Sequence, residues 1–250
     1  MTAPVALPTL KQTLTVEIWS DIACPWCYIG KKRFQTALDA FPFRDDVQVT
    51  WRAFELSPDA HTGPGRPEID ALAEHKGISR PQVAQMFAQV TAVAAGEGLA
   101  YDFARTLSVN TFDGHRLVHL AASVGGPALA DRVLEALYSA HFEHGEDLGD
   151  DETLVRIVSE AGLDADAARA TLAGNDHAEA VRHDEAEARA IGVTGVPFFV
   201  VDRRIGVSGA QPADVFTQLL EEGWKTANPL VALAVADPDA AACVDDSCAI

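Results

Sequence analysis

Two cysteines separated by two residues, Cys24 and Cys27, stand where a strand pattern gives way to a helix pattern. Before them, residues 13–19 alternate apolar Leu14, Val16 and Ile18 with Thr15 and Glu17, the period of a strand with one buried face. After them, residues 28–41 carry Ile29, Phe34, Ala37, Leu38 and Phe41 at roughly helical spacing. Pro25 suits a first helical turn, where its missing N–H costs nothing. A thiol pair at a helix N-terminus can close a small disulfide, and the free N–H groups and dipole there favour a thiolate on the first sulfur. Two other uses fit less well. A structural disulfide this short removes little entropy from the unfolded chain. A zinc knuckle sets its cysteines on a tight turn rather than at the start of an apolar helix. The pattern points to redox chemistry.

Residues 47–56 alternate again, with Val47, Val49, Trp51 and Ala53 on one side, which completes a β-α-β unit whose crossover helix begins at the cysteines. Residues 57–67 are rich in Pro and Gly and mark a boundary. From there to Gly192 the periodicity is helical, with segments expected after Ser79, over 114–124, 129–142, 151–161 and 164–172, and over 177–191. Strand signals return at Pro197 to Val201 and Ile205 to Val207, joined by a turn at Asp202-Arg203-Arg204. A last amphipathic helix runs to about Trp224. The expected division is a first β-containing half over 1–66, an all-helical insertion over 67–192, a second half over 193–226, and a tail over 227–250 that carries Cys243 and Cys248.

The chain has 250 residues, enough for one large domain or two small ones. Its 19 Lys and Arg against 37 Asp and Glu leave a net charge of −18, which argues against nucleic acid and against an anionic membrane surface as partners. The local basic run Lys31-Lys32-Arg33 reads either as a solvated helix face or as a positive field near the thiols. No secretory signal is visible at the N-terminus, and no apolar run is long enough to span a bilayer. Four cysteines in a reducing compartment are read as reactive rather than as staples, so the expected location is the cytoplasm. His115 with His119, and His141 with His144, have helical spacing but no third ligand nearby, so each pair reads as polar helix surface or pocket wall and no metal site is expected. Asp21 and Glu17 can tune the thiols or accept a proton from them, and Glu17, opposite the apolar face of its strand, reads equally as a solvated residue.

Several runs carry a family resemblance. Ser20-Asp21 followed by Cys24 to Gly30 is similar to the active-site run of the FrnE-like branch of the DsbA family. Asn110-Thr111 with His115-Arg116-Leu117 resembles the helical signature of that branch, and Gly192 to Phe199 with Val207 to Pro212 resembles its C-terminal half. Together these span roughly residues 14 to 225. The resemblance implies an α/β class, a thioredoxin fold with an all-helical insertion. It implies Cys24 as the attacking or leaving sulfur and Cys27 as the resolving one, in line with a first sulfur at the helix start and a second one turn inside. It also implies a cis-proline at Pro197, with Pro25, Trp26, Val196 and Pro197 meeting an extended substrate chain. Trp26 either shields the disulfide or packs on the insertion. The implied partners are protein thiols and disulfides, with a reductant or glutathione. No cofactor is expected beyond the redox-active disulfides. Cys243 and Cys248 depart from the common family pattern and are expected to exchange disulfides with Cys24 and Cys27. Two alternatives stand beside this reading: a glutathione-dependent isomerase of the kappa-class type, in which a Ser replaces the first Cys, and a metal-binding redox sensor.

Overall fold

The computed structural model describes residues 12–229. Cys243 and Cys248 lie outside the described residues. Strand β1 (Leu14–Ser20) pairs in parallel with β2 (Val47–Ala53) and antiparallel with β5 (Phe198–Val201), which pairs antiparallel with β6 (Ile205–Ser208), so the sheet order is β2-β1-β5-β6. Leu14, Val16 and Ile18 are buried on one face, in register with Val201 and Phe199 of β5. Helices α1 (Pro25–Ala40) and α8 (Ala213–Ala227) cover that face. There the Phe34 ring lies 5.5 Å from Phe199 and 5.8 Å from Phe216. The β5–β6 hairpin turns at Asp202 and Arg203, both with positive φ, closed by the Arg204 N–H donating to the Val201 carbonyl at 2.9 Å. Positive φ at both central residues matches the twist of the flanking strands.

Between β2 and β5 come β3 (Arg66–Pro67), α2 (Glu68–Lys76), α3 (Arg80–Gly96), β4 (Leu107–Ser108), α4 (Phe112–Ser139), α5 (Asp151–Glu160), α6 (Ala165–Ala173) and α7 (Ala178–Ala190). Local chemistry sets several of their ends. Ser79 and Gln82 form a capping box at α3, and Asp150 and Asp164 accept from the N–H of Thr153 and Ala167 at α5 and α6. Helix α4 is the spine against which α5, α6 and α7 pack. It is broken at Gly126 (φ 69°, ψ −170°) just before Pro127, where the sequence pattern shows two separate helices. A single wider turn, Ala140–His144, continues it and ends at Gly145, φ 64°. Among the described residues no helix is long and apolar enough to cross a membrane.

Two expectations need correction. The block between β2 and β5 is not all helical: β3 and β4 form a two-stranded ribbon, Arg66 opposite Ser108. Two residues per strand, one of them a proline, are too few to show a period. Glu17 is not solvated either. Helix α7 packs Ala188 against Trp19 and Val200 on the second face of the sheet, and Glu17 is buried there. It accepts from Arg52 Nε at 3.0 Å and Arg203 Nε at 2.7 Å. Burial alone would raise its carboxyl, but Arg203 and Arg52 outweigh that and hold it below the ordinary range.

Candidate active site

Cys24 is the N-cap of α1 (φ −93°, ψ 111°), with Pro25 in the first turn. Its N–H donates to the Asp21 carbonyl at 3.0 Å, and the Cys27 N–H donates to the Cys24 carbonyl at 3.0 Å, which winds the cysteines into one turn. Both are free thiols. Across from them the Val196–Pro197 peptide is cis, and the Val196 carbonyl oxygen lies 3.6 Å from Cys24 Sγ. This backbone covers the first sulfur, so Cys24 is only 4 % exposed against 1 % for Cys27, a smaller difference than the helix positions suggest. Trp26 projects outward and is 43 % exposed. Gly30, one turn into α1, permits the close approach of the proline loop: a Cβ there would stand 3.0 Å from Pro197 Cγ. The site thus brings Cys24, Cys27, Val196 and Pro197 together, with Pro25 and Trp26 on its rim.

The basic run is not a fully solvated helix face. Lys31 is buried, 2.7 Å from Asp131 Oδ1 and 3.2 Å from Glu135 Oε2 on α4. Lys32 pairs with Glu135, and Arg33 donates to Glu97 Oε1 at 2.6 Å and to the Ala210 carbonyl at 2.7 Å. These charges tie the cysteine helix to its surroundings. Aromatic rings do the same: Tyr28 stacks on Tyr138 with centroids 5.0 Å apart, and the Tyr101 hydroxyl donates to the Pro25 carbonyl at 2.7 Å. Tyr101 and Tyr138 escaped the sequence reading because their spacing marks only helix or loop positions, and nothing local shows what they meet.

Behind Cys27 lies a buried polar group of side chains. The Asp21 N–H donates to Cys27 Sγ at 3.5 Å. Its carboxylate accepts from the Leu56 N–H at 2.7 Å and the Ala23 N–H at 3.2 Å, and faces His115 Nε2 at 3.5 Å. Burial would raise Asp21, yet contacts with His115, Leu56 and Thr111 keep it below the usual aspartate range. Burial pushes the Cys27 thiol well above the ordinary thiol range, and its hydrogen bond with Cys24 adds to the effect. Its surroundings favour the protonated Cys27 thiol. His115 and His141 are buried and wall this region, while His119 stands 2.9 Å from Asp184 Oδ2. Among the described residues no group of three or more His, Cys, Asp or Glu is arranged to hold a metal ion.

A strand, a dithiol helix and a second strand, completed by a hairpin and a helix and interrupted by a helical insertion, define a thioredoxin-fold disulfide oxidoreductase. A family model for the DSBA-like thioredoxin domain matches residues 15–221, and the chain belongs to that family. It is similar to a probable DsbA oxidoreductase from Streptomyces coelicolor, at 47 % identity and a TM-score of 0.81, over 95 % of this chain and 99 % of that one. The uncharacterized protein YwbO of Bacillus subtilis is 25 % identical over 223 residues, which cover 85 % of this chain and 98 % of that protein. The cytosolic disulfide reductase DsbM of Pseudomonas aeruginosa shares the fold, with a TM-score of 0.60 at 18 % identity over 85 % of this chain and all of that one, and has also been solved with GSH.

Proposed function

We propose that the protein exchanges thiols and disulfides on protein substrates in the cytoplasm, with Cys24 as attacking sulfur and Cys27 as resolving sulfur. The observation that carries this reading is the Val196 carbonyl lying 3.6 Å from Cys24 Sγ at a helix N-terminus. An extended client chain pairing with Val196 brings its own sulfur to Cys24. The Cys24 thiolate attacks the client disulfide and forms a mixed disulfide. Cys27 then attacks the Cys24 sulfur and releases the client thiolate. Trp26 and Pro25 border the approach. Glutathione or another small thiol returns the pair to its starting state, a choice supported by the likeness to DsbM. The motifs around Asp21, His115 and Gln211 support the FrnE-like branch, and the second cysteine pair supports its extended form in radiation-resistant bacteria.

That second pair, Cys243 and Cys248, relays disulfides to Cys24 and Cys27. The presence of two close cysteine pairs in one chain supports it.

Insulin reduction and refolding of scrambled ribonuclease test the reading. Cys24→Ser is expected to abolish both, and Cys27→Ser to accumulate mixed disulfides. Activity retained in Cys24→Ser would overturn it in favour of a glutathione-dependent isomerase. Trapped Cys24–Cys243 or Cys24–Cys248 species in single-cysteine variants would support the relay, and their persistent absence would remove it.

A further inference from the structure

We infer that a ligand site separate from the dithiol lies over the β5–β6 hairpin, on the sheet face turned away from α1, and that it takes a small carboxylic acid bearing one aromatic ring or branched apolar chain. Helix α7 packs on this face through Ala188 and ends at Ala190, leaving a cavity of about 220 Å³ over the hairpin. Its lining is apolar: Trp19, Phe198 and Val200 from the sheet, Ile191 just after α7, and Ile205 and Gly206 from β6. Ile191 is 50 % exposed, so a large apolar side chain stands half in water at this cavity. Two features set its walls before any ligand arrives. The Trp19 indole is fixed by its N–H donating to the Asp184 carbonyl at 2.9 Å. A Cβ at Gly206 would meet the Phe198 ring at 3.1 Å, so the missing side chain lets that ring lie against β6.

The charges at the rim decide the ligand's sign. Glu187 and Arg203 neutralise each other, with Oε1 and Oε2 accepting from Arg203 Nη1 and Nη2 at 2.9 and 3.1 Å. Arg203 is also held by Glu17, its Nε donating to Oε2 at 2.7 Å. Asp202, the acid nearest in sequence, turns to Thr15, whose N–H and hydroxyl donate to it at 2.9 and 2.8 Å. Arg204 alone at this rim has no ion-pair partner among the described residues. On a chain of net charge −18, the unspent charge beside this apolar cavity is therefore a guanidinium. A planar guanidinium matches a carboxylate in two parallel hydrogen bonds, which would orient the acid while its apolar part enters the cavity.

Size narrows the class. The cavity falls below the roughly 300–1,000 Å³ of sites that hold larger ligands, so a nucleotide does not fit and a single ring with a short acid arm does. The ligand binds without covalent chemistry, and neither cysteine lines the cavity.

The test titrates the full-length chain with hydrocinnamate, its primary amide and phenethylamine, read by backbone and indole N–H signals in NMR. Hydrocinnamate is expected to shift the Trp19 indole, Ile191, Phe198 and Gly206 signals saturably, with a Kd on the order of 1 mM for so small a probe. The amide is expected to bind about fivefold more weakly, and the amine more weakly still. Arg204→Gln must bring the acid down to the level of the amide and leave the amide unchanged. Ile191→Asp must weaken both roughly tenfold, and Cys24→Ser must bind as the wild type does. Ile191 and Arg204 are exposed, and the same spectra report whether each variant keeps the fold. Absence of saturable shifts at these signals, equal binding of acid and amide, or tightest binding of the amine would overturn the inference. So would a dimer in sedimentation that Ile191→Asp disperses, since a second copy of the chain would then be what covers this face.

Discussion

At the scale of single residues, His141 carries a pH cost that the mechanism does not use. It is 1 % exposed, and burial lowers its imidazole to about 4, against an unfolded value of about 6.5. Between those values the unfolded chain binds a proton that the native chain refuses, so stability falls as pH drops through the window. The full effect is about 3 kcal/mol, present above about pH 6.5 and gone below about pH 4. His141→Phe is expected to flatten this acid limb, read as a smaller gap between urea midpoints at about pH 7 and about pH 5. Sequence spacing flagged His141 beside His144 as helix positions. Its burial became visible only with the fold: the Phe142 ring beside it is itself stacked on Tyr101, some forty positions upstream.

At the scale of elements, the tight contact between α1 and the cis-proline loop depends on a missing side chain. Gly30→Ala places a Cβ 3.0 Å from the rigid Pro197 ring and 3.4 Å from Phe199. We expect about 1–3 kcal/mol of destabilisation and a fall in exchange activity as the loop moves off Cys24, checked by thermal melts and insulin reduction. The elements that build this contact were legible. Leu14, Val16 and Ile18 alternate, Pro25 marks a first turn, and Asp202-Arg203 gives the hairpin its reversal. What was illegible is tertiary in origin. The β3–β4 ribbon is too short for a period, and Glu17 looked solvated because no pattern within β1 foretells that α7 covers its second face. Lys31 looked like surface because its partners, Asp131 and Glu135, lie a hundred residues away.

At the scale of the whole molecule, Asp184 clasps the insertion to the sheet. It is 1 % exposed and accepts from Arg52 Nη1 and the Ala53 N–H at 2.9 Å, with His119 Nε2 also at 2.9 Å, while its carbonyl accepts from Trp19. Burial would raise its carboxyl, but His119, Ala53 and Arg52 hold it low. Asp184→Asn removes the charge while leaving Arg52 in place, and is expected to cost about 2–4 kcal/mol. The corresponding fall in Tm is about 5–15 °C, measurable by calorimetry. One further consequence follows from the covering of Cys24 by Val196, 172 residues downstream. A ribosome releases both sulfurs long before it makes the peptide that shelters them. At about 5–20 residues per second, a newborn chain carries them bare for roughly 10–30 s. Stalled or truncated translation products therefore present these two thiols unguarded.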